Sequence, residues 1–160
     1  MIRKAEASDI NECVRVIREG FKTVADEFDI TPENAPRFTA FAITEERLLY
    51  QLADENRHMY VHTDGGNITG YCSLLLLESG GCELNNLCVR PAYRHGGIGA
   101  KLLEYAFEAA RALGCSRMEI GIVEENRVLR RWYEGFGFVH TGVKKFEFFP
   151  FTCGYMEKKL

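Results

Sequence analysis

Apolar positions recur at two spacings along this chain, and the places where the spacing changes mark out its elements. Ile10, Cys13, Val14 and Ile17 fall at i, i+3, i+4 and i+7, one face of a short amphipathic helix. "MIRKAEA" before it begins the fold as a short strand. Asp9 with Glu12 has the form of a capping box, and Gly20 is the expected stop. From Phe21 to Ile43 the pattern blurs, broken by Pro32 and Pro36 and punctuated by Phe21, Phe28, Phe38 and Phe41. Thr44 then caps a helix running to about Asp54, with Leu48, Leu49 and Leu52 inward.

The spacing shortens next. "HMYVHT", the turn "DGGN" and "ITGYCSLLLL" read as a hairpin, and "SGG" turns again into "CELNNLCV". Met59 to Val89 is therefore an antiparallel meander of three strands. Helical spacing returns at Ile98, Leu102, Leu103, Ala106, Ala109, Ala110 and Leu113 and stops at Gly114. "RMEIGIV" is a strand, Val128, Leu129, Trp132, Tyr133 and Phe136 mark a further helix, and "GFVHTGV" and "GYMEKKL" are two last strands. The strand–helix–strand unit from Leu84 to Val123 implies a parallel pair joined by a right-handed crossover. The fold class is α+β, or mixed α/β, with an antiparallel front half and a βαβ back half.

Composition narrows the class without changing this outline. The 160 residues, 46% apolar and 27% charged, suit one globular domain spanning 1–160. With 20 basic and 23 acidic residues and a net charge of −3, neither nucleic acid nor an anionic membrane is an expected partner. The charged N-terminus lacks the apolar core of a signal peptide, and Leu74 to Leu77 is too short a run to span a bilayer, so a cytoplasmic location is expected. None of the six cysteines forms CxxC or stands at zinc-finger spacing to a histidine, so no metal is expected. Cys82 and Cys88 share one strand, roughly 20 Å apart at ~3.3 Å per residue, too far to bridge. Buried reduced thiols follow.

The candidate chemistry lies in "RHGGIGAKL". A helix N-terminus presents unpaired N–H groups and the positive end of the dipole. Gly96, Gly97 and Gly99 remove side chains that would block an anion there, while Arg94 and His95 add donors or charge. The other reading is a strained turn needing positive φ. Lys101 is followed by Leu102, so the Walker A spacing fails, and Leu102 also breaks a GxGxxG dinucleotide fingerprint.

Arg94 to Gly99 reads R-x-x-G-x-G after a strand and before a helix, and resembles the acetyl-coenzyme A pyrophosphate loop of the GNAT superfamily of N-acetyltransferases. "ELNNLCVRPAYRHGGIGAKLLEYAFEAARALGC" and "EIGIVEENRVLRRWYEGFGFVHTG" extend the resemblance from Glu83 to Gly142. It implies a central, mostly antiparallel sheet with a splayed parallel strand pair in its middle and helices on both faces. It also implies acetyl-CoA as co-substrate. The cofactor would pair with the backbone of Leu87, Cys88 and Val89. Its phosphates would meet the stretch from Arg94 and His95 through Gly96, Gly97, Ile98 and Gly99 to Ala100, with Arg90 and Lys101 as further partners. "ELNN" is a place for a bulge that starts the splay.

In the same resemblance Glu83 matches a strand glutamate acting as general base, its pKa raised by burial near the cleft. Tyr133 matches a helix tyrosine that serves the departing thiolate; a hydrogen bond is its safer role, since tyrosine near 10 is a weaker acid than a thiol near 8.5. Asn126 caps the last helix, contacts the cofactor arm, or does both. The acceptor is an amine of a small molecule or peptide, bound between Phe21–Ile43 and "KKFEFFPFTCG". There Phe146, Phe148, Phe149 and Phe151 can wall a pocket, and Glu147 can attract a cation. A non-catalytic acyl-CoA-binding or sensor domain of the same fold is the alternative. The chain is expected as a monomer or homodimer.

Overall fold

The computed structural model of the chain describes residues 1–160. Its sheet has seven strands in the order β1-β2-β3-β4-β5-β7-β6. One half is built from β1 (Ile2–Lys4), β2 (Arg57–Asp64), β3 (Asn67–Leu76) and β4 (Cys82–Val89), the other from β5 (Arg117–Val123), β6 (Val139–Lys145) and β7 (Thr152–Lys159). All neighbours pair antiparallel except β4 and β5, which join the halves in parallel. The helices are α1 (Ile10–Glu27), α2 (Thr39–Ala42), α3 (Glu45–Leu52), α4 (Ile98–Ala112) and α5 (Arg127–Gly135). No helix is long and apolar enough to cross a membrane.

Strand alternation sends side chains to two cores. Leu74, Leu84, Met118 and Met156 bury against Leu102, Leu103 and Ala106 of α4. Met59, Val61 and Tyr71 bury against Val14 and Ile17 of α1 and Leu48 of α3 on the other face. The expected meander, the βαβ unit and the helices on both faces are all present. Thr44 caps α3 as its side chain predicts, its Oγ1 accepting from Arg47 N at 3.1 Å.

Two expectations about α1 are corrected. The helix does not stop at Gly20 but runs through it to Glu27. A Cβ at Gly20 would stand 2.7 Å from Cys88 Cβ, so this glycine lets α1 lie close against β4. Its helix penalty, about 1 kcal/mol relative to alanine, is offset by that packing. The reciprocal box at the N-terminus is Glu6–Asp9, not Asp9–Glu12. Glu6 N donates to Asp9 Oδ2 at 2.8 Å, and Glu12 instead pairs with Arg15 at 2.9 Å.

Asp9 also accepts both arms of the Arg3 guanidinium, at 2.7 and 3.0 Å. Those hydrogen bonds hold its carboxyl below the usual aspartate value against a smaller opposing effect of burial. A depressed folded-state pKa gives stability that is present above the unfolded value and lost as pH falls through the folded one. Asp9→Asn is therefore expected to cost about 1 kcal/mol near neutrality, Arg3 being partly solvent-screened. The difference from wild type should vanish in urea titrations run below the depressed pKa.

Candidate active site

The site begins with an irregularity in β4. Tyr71 pairs with Cys88 and Ser73 with Asn85, so Cys72 alone faces both Asn86 and Leu87, and Asn86 adopts φ 54°. This is a β-bulge, where "ELNN" places it. The extra residue inverts the alternation. Leu84 faces α4, whereas Cys88, four residues on, joins the core beneath α1. The bulge also ends the union with β5, which holds only at Cys82↔Met118 and Glu83↔Glu119. Beyond these pairs the strands diverge.

A groove of about 560 Å³ fills the divergence on one side. Leu87, Cys88, Val89, Arg94, His95, Gly97, Ile98, Gly99, Ala100 and Asn126 all line it, as does Tyr133. Gly96 does not line it but links His95 to Gly97. At its end lies the entrance of α4. From His95 to Ala100 no backbone N–H has an acceptor within the protein, and the first α4 bond is donated by Lys101 N to Gly97 O at 3.0 Å. Gly97 caps the helix in the left-handed region at φ 78°, and His95 shares that region at φ 69°. The glycine loop thus adopts positive φ, and six successive N–H groups in and after it are left without a partner in the protein.

Arg94 lines the groove and is also engaged within the protein. Its guanidinium donates to Val89 O at 3.1 Å, Thr23 Oγ1 at 3.0 Å and Gly20 O at 3.0 Å. It fastens α1 to the loop and to β4, and only its remaining N–H bonds face outward. Arg90 is likewise committed, to Glu19 at 2.9 Å and Glu12 at 3.3 Å. Lys101 stays solvent-exposed. The donors left unpaired at this end of the groove are therefore mainly backbone N–H groups.

Asn126 caps α5, its side chain accepting from Leu129 N at 3.2 Å, and still lines the groove. Tyr133 is buried between Trp132 and Phe138, with edge-on ring contacts at 5.0 and 5.3 Å. Burial pushes its hydroxyl well above the ordinary tyrosine pKa, and the hydroxyl has no hydrogen-bond partner within the protein. Burial likewise raises the Cys88 thiol, which removes the thiolate a nucleophile needs.

Phe21, Val24, Asn126 and Leu129 border both this groove and a second cavity of about 720 Å³, so the two adjoin. Glu83 lies in the second cavity, half-buried rather than deeply enclosed, with Asn85 Nδ2 donating to its Oε1 at 2.7 Å. Cross-strand register sets Glu83, Glu119 and Glu157 side by side across β4, β5 and β7. All three line the cavity, whereas Glu147 does not. Phe38, Phe149 and Phe151 wall it; Phe146 and Phe148 stack on each other and meet the Phe149 ring edge-on. No group of three His, Cys, Asp or Glu side chains is disposed to hold a metal.

The model of the acetyltransferase (GNAT) family matches residues 22–138. The chain belongs to that family. A GNAT relative, an uncharacterised N-acetyltransferase encoded in the pepI 3′ region of Lactobacillus delbrueckii subsp. lactis, is 27% identical over 145 residues, covering 85% of this chain and 82% of that protein. The thialysine N-epsilon-acetyltransferase of Bos taurus is 27% identical over 143 residues, covering 86% and 82%. Among solved structures, the PaiA N-acetyltransferase of Thermoplasma acidophilum in complex with coenzyme A superposes with a TM-score of 0.86 at 21% identity, covering 100% of this chain and 98% of that one. An acetyltransferase from Salmonella typhimurium with its cofactor acetyl-CoA gives 0.77 at 23% identity, covering 100% and 93%.

Several residues that line these two cavities are not singled out by a reading of the sequence. Thr23 and Val24 come from the part of α1 beyond Gly20, and Asn85, which holds Glu83, reads only as a polar break in a strand. The available signal was the parity of Glu83 with Asn85, polar residues two apart that share one face of β4.

Proposed function

We propose that the chain is an acetyl-CoA-dependent N-acetyltransferase that passes the acetyl group directly to a primary amine of a small molecule or peptide. The observation that carries this reading is the run of unpartnered N–H groups from His95 to Ala100, at the end of a groove that adjoins the cavity holding Glu83. Those donors and the α4 dipole suit a pyrophosphate. The splayed edge of β4 suits an amide-bearing arm laid along Leu87 to Val89. The relatives add support, one solved with acetyl-CoA and another named for acetylating an amine.

An alkyl amine has a pKa of roughly 10.4 and arrives protonated. The row Glu83, Glu119 and Glu157 draws that ammonium into the cavity. Glu83 takes its proton, directly or through water, and Asn85 fixes the carboxylate while one oxygen stays available. Once Glu83 has passed that proton to solvent, the freed nitrogen bonds to the acetyl carbon as the carbon–sulfur bond breaks; the nitrogen gives up its second proton to Glu83, and the thiolate leaves to be protonated from solvent. The Tyr133 hydroxyl, kept protonated by burial, donates a hydrogen bond that strengthens as charge grows on sulfur. Tyr133→Phe is expected to lower kcat by about 10²-fold with acetyl-CoA affinity nearly unchanged, since the interaction belongs to the transition state.

Initial rates with both substrates varied test direct transfer. Intersecting double-reciprocal lines are expected. Parallel lines, together with an acetylated protein formed before the amine is added, would refute it.

A further inference from the structure

Next to Glu83 the acceptor cavity opens into a pocket of about 260 Å³ with a different character. Its walls carry three guanidinium groups, from Arg37 ahead of α2, Arg47 on α3 and Arg57 on β2, against the single carboxylate of Glu83. The excess of positive charge runs against the −3 of the whole chain. None of the three arginines is paired with a carboxylate, so their charge is left uncompensated in the pocket wall. Arg37 instead lies over the Phe148 ring at 4.5 Å. Arg57 Nη1 donates to Ser73 Oγ at 3.1 Å and Asn85 Oδ1 at 3.0 Å, while its Nε is buried with no acceptor. Gln51 Oε1, in the same wall, is buried with no donor.

Asn85 connects this pocket to the chemistry. Its amide accepts from Arg57 and donates to Glu83 at 2.7 Å, so one side chain spaces a guanidinium from the proposed base. A buried guanidinium donor without an acceptor is costly, and the planar fork of arginine matches a carboxylate. We propose that this pocket receives a carboxylate of the acceptor. The substrate class is then an amino-acid-type small molecule, its ammonium drawn to Glu83 and its acid group held among Arg37, Arg47 and Arg57. The assignment rests on the acetyltransferase reading above and names the kind of amine it serves.

The test is a panel of free amino acids, basic, acidic and neutral, each assayed beside its carboxamide and its decarboxylated amine. Thiol release and product mass give kcat/KM for each, and acetyl-CoA binding is measured on the same samples. At least one free acid is expected to exceed its carboxamide and its plain amine by about 10²-fold, mainly through KM. Arg57 is tied into the sheet and can fail to fold when changed, so the exposed pair is used: Arg37→Gln with Arg47→Gln should bring acid and carboxamide together. A carboxamide or plain amine used as well as its acid overturns the inference and leaves the acetyltransferase reading standing. So does an acid preference that survives the double substitution, or turnover confined to polyamines or peptides. Failure to bind acetyl-CoA at all would remove the underlying reading instead.

Discussion

Glu83→Gln is expected to lower kcat by about 10²–10⁴-fold, the range for a positioned general base, with acetyl-CoA binding preserved. Glutamine keeps the shape and can still meet Asn85, but it cannot take a proton. Glu83 stands at the last β4–β5 pair before the strands part, within the cavity and outside the cofactor groove. The variant should therefore bind acetyl-CoA as wild type does and fail in the chemical step. Its deficit should shrink as pH approaches the amine's own pKa of roughly 10.4, where more of the amine arrives neutral. Single-turnover rates across pH, beside equilibrium binding, check both parts. A variant with wild-type kcat would move the proton acceptor to Glu119 or Glu157, the register neighbours.

Arg94→Ala is expected to cost about 2–3 kcal/mol of stability, because hydrogen bonds from a charged fork to partly buried acceptors are among the stronger ones. The lost partners are Val89 O, Thr23 Oγ1 and Gly20 O, so the substitution loosens α1 from β4 and opens a wall of the groove. Acetyl-CoA affinity should fall with it. Arg94→Lys keeps the charge and lacks the fork, and it should restore little of either. Urea denaturation and acetyl-CoA titration of both variants separate the possibilities. Full rescue of affinity by lysine would assign Arg94 to the phosphates, as its place in the loop motif implies.

That contrast shows where the sequence was legible. β4 and β5 were bounded correctly because apolar runs flanked by turn residues carry their own limits. The bulge was readable as a polar interruption in such a run, and the α4 entrance from its glycines. Gly20 misled because a glycine after an amphipathic stretch has the same local form whether it ends a helix or packs one against a strand. Only Cys88, 68 positions away, distinguishes the two. The internal contacts of Arg94 were hidden for the same reason: two of its three acceptors come from a helix whose approach depends on Gly20. A carboxylate to attract a cation was sought at Glu147, within an aromatic stretch, whereas the carboxylates lining the cavity are Glu83, Glu119 and Glu157, aligned by cross-strand register. Asp9 lies on a local turn too, yet Arg3 from β1 decides its environment.

The most direct measurement is acetyl-CoA-dependent thiol release across amino acids, polyamines, aminoglycosides, aryl amines and short peptides, with the mass of each acceptor read from the same reactions. The expected result is coenzyme A released in equal amount to an acceptor that is one acetyl group heavier. Acetyl-CoA bound in those samples, with no acceptor gaining an acetyl group, would contradict catalysis and leave an acyl-CoA-binding domain in its place.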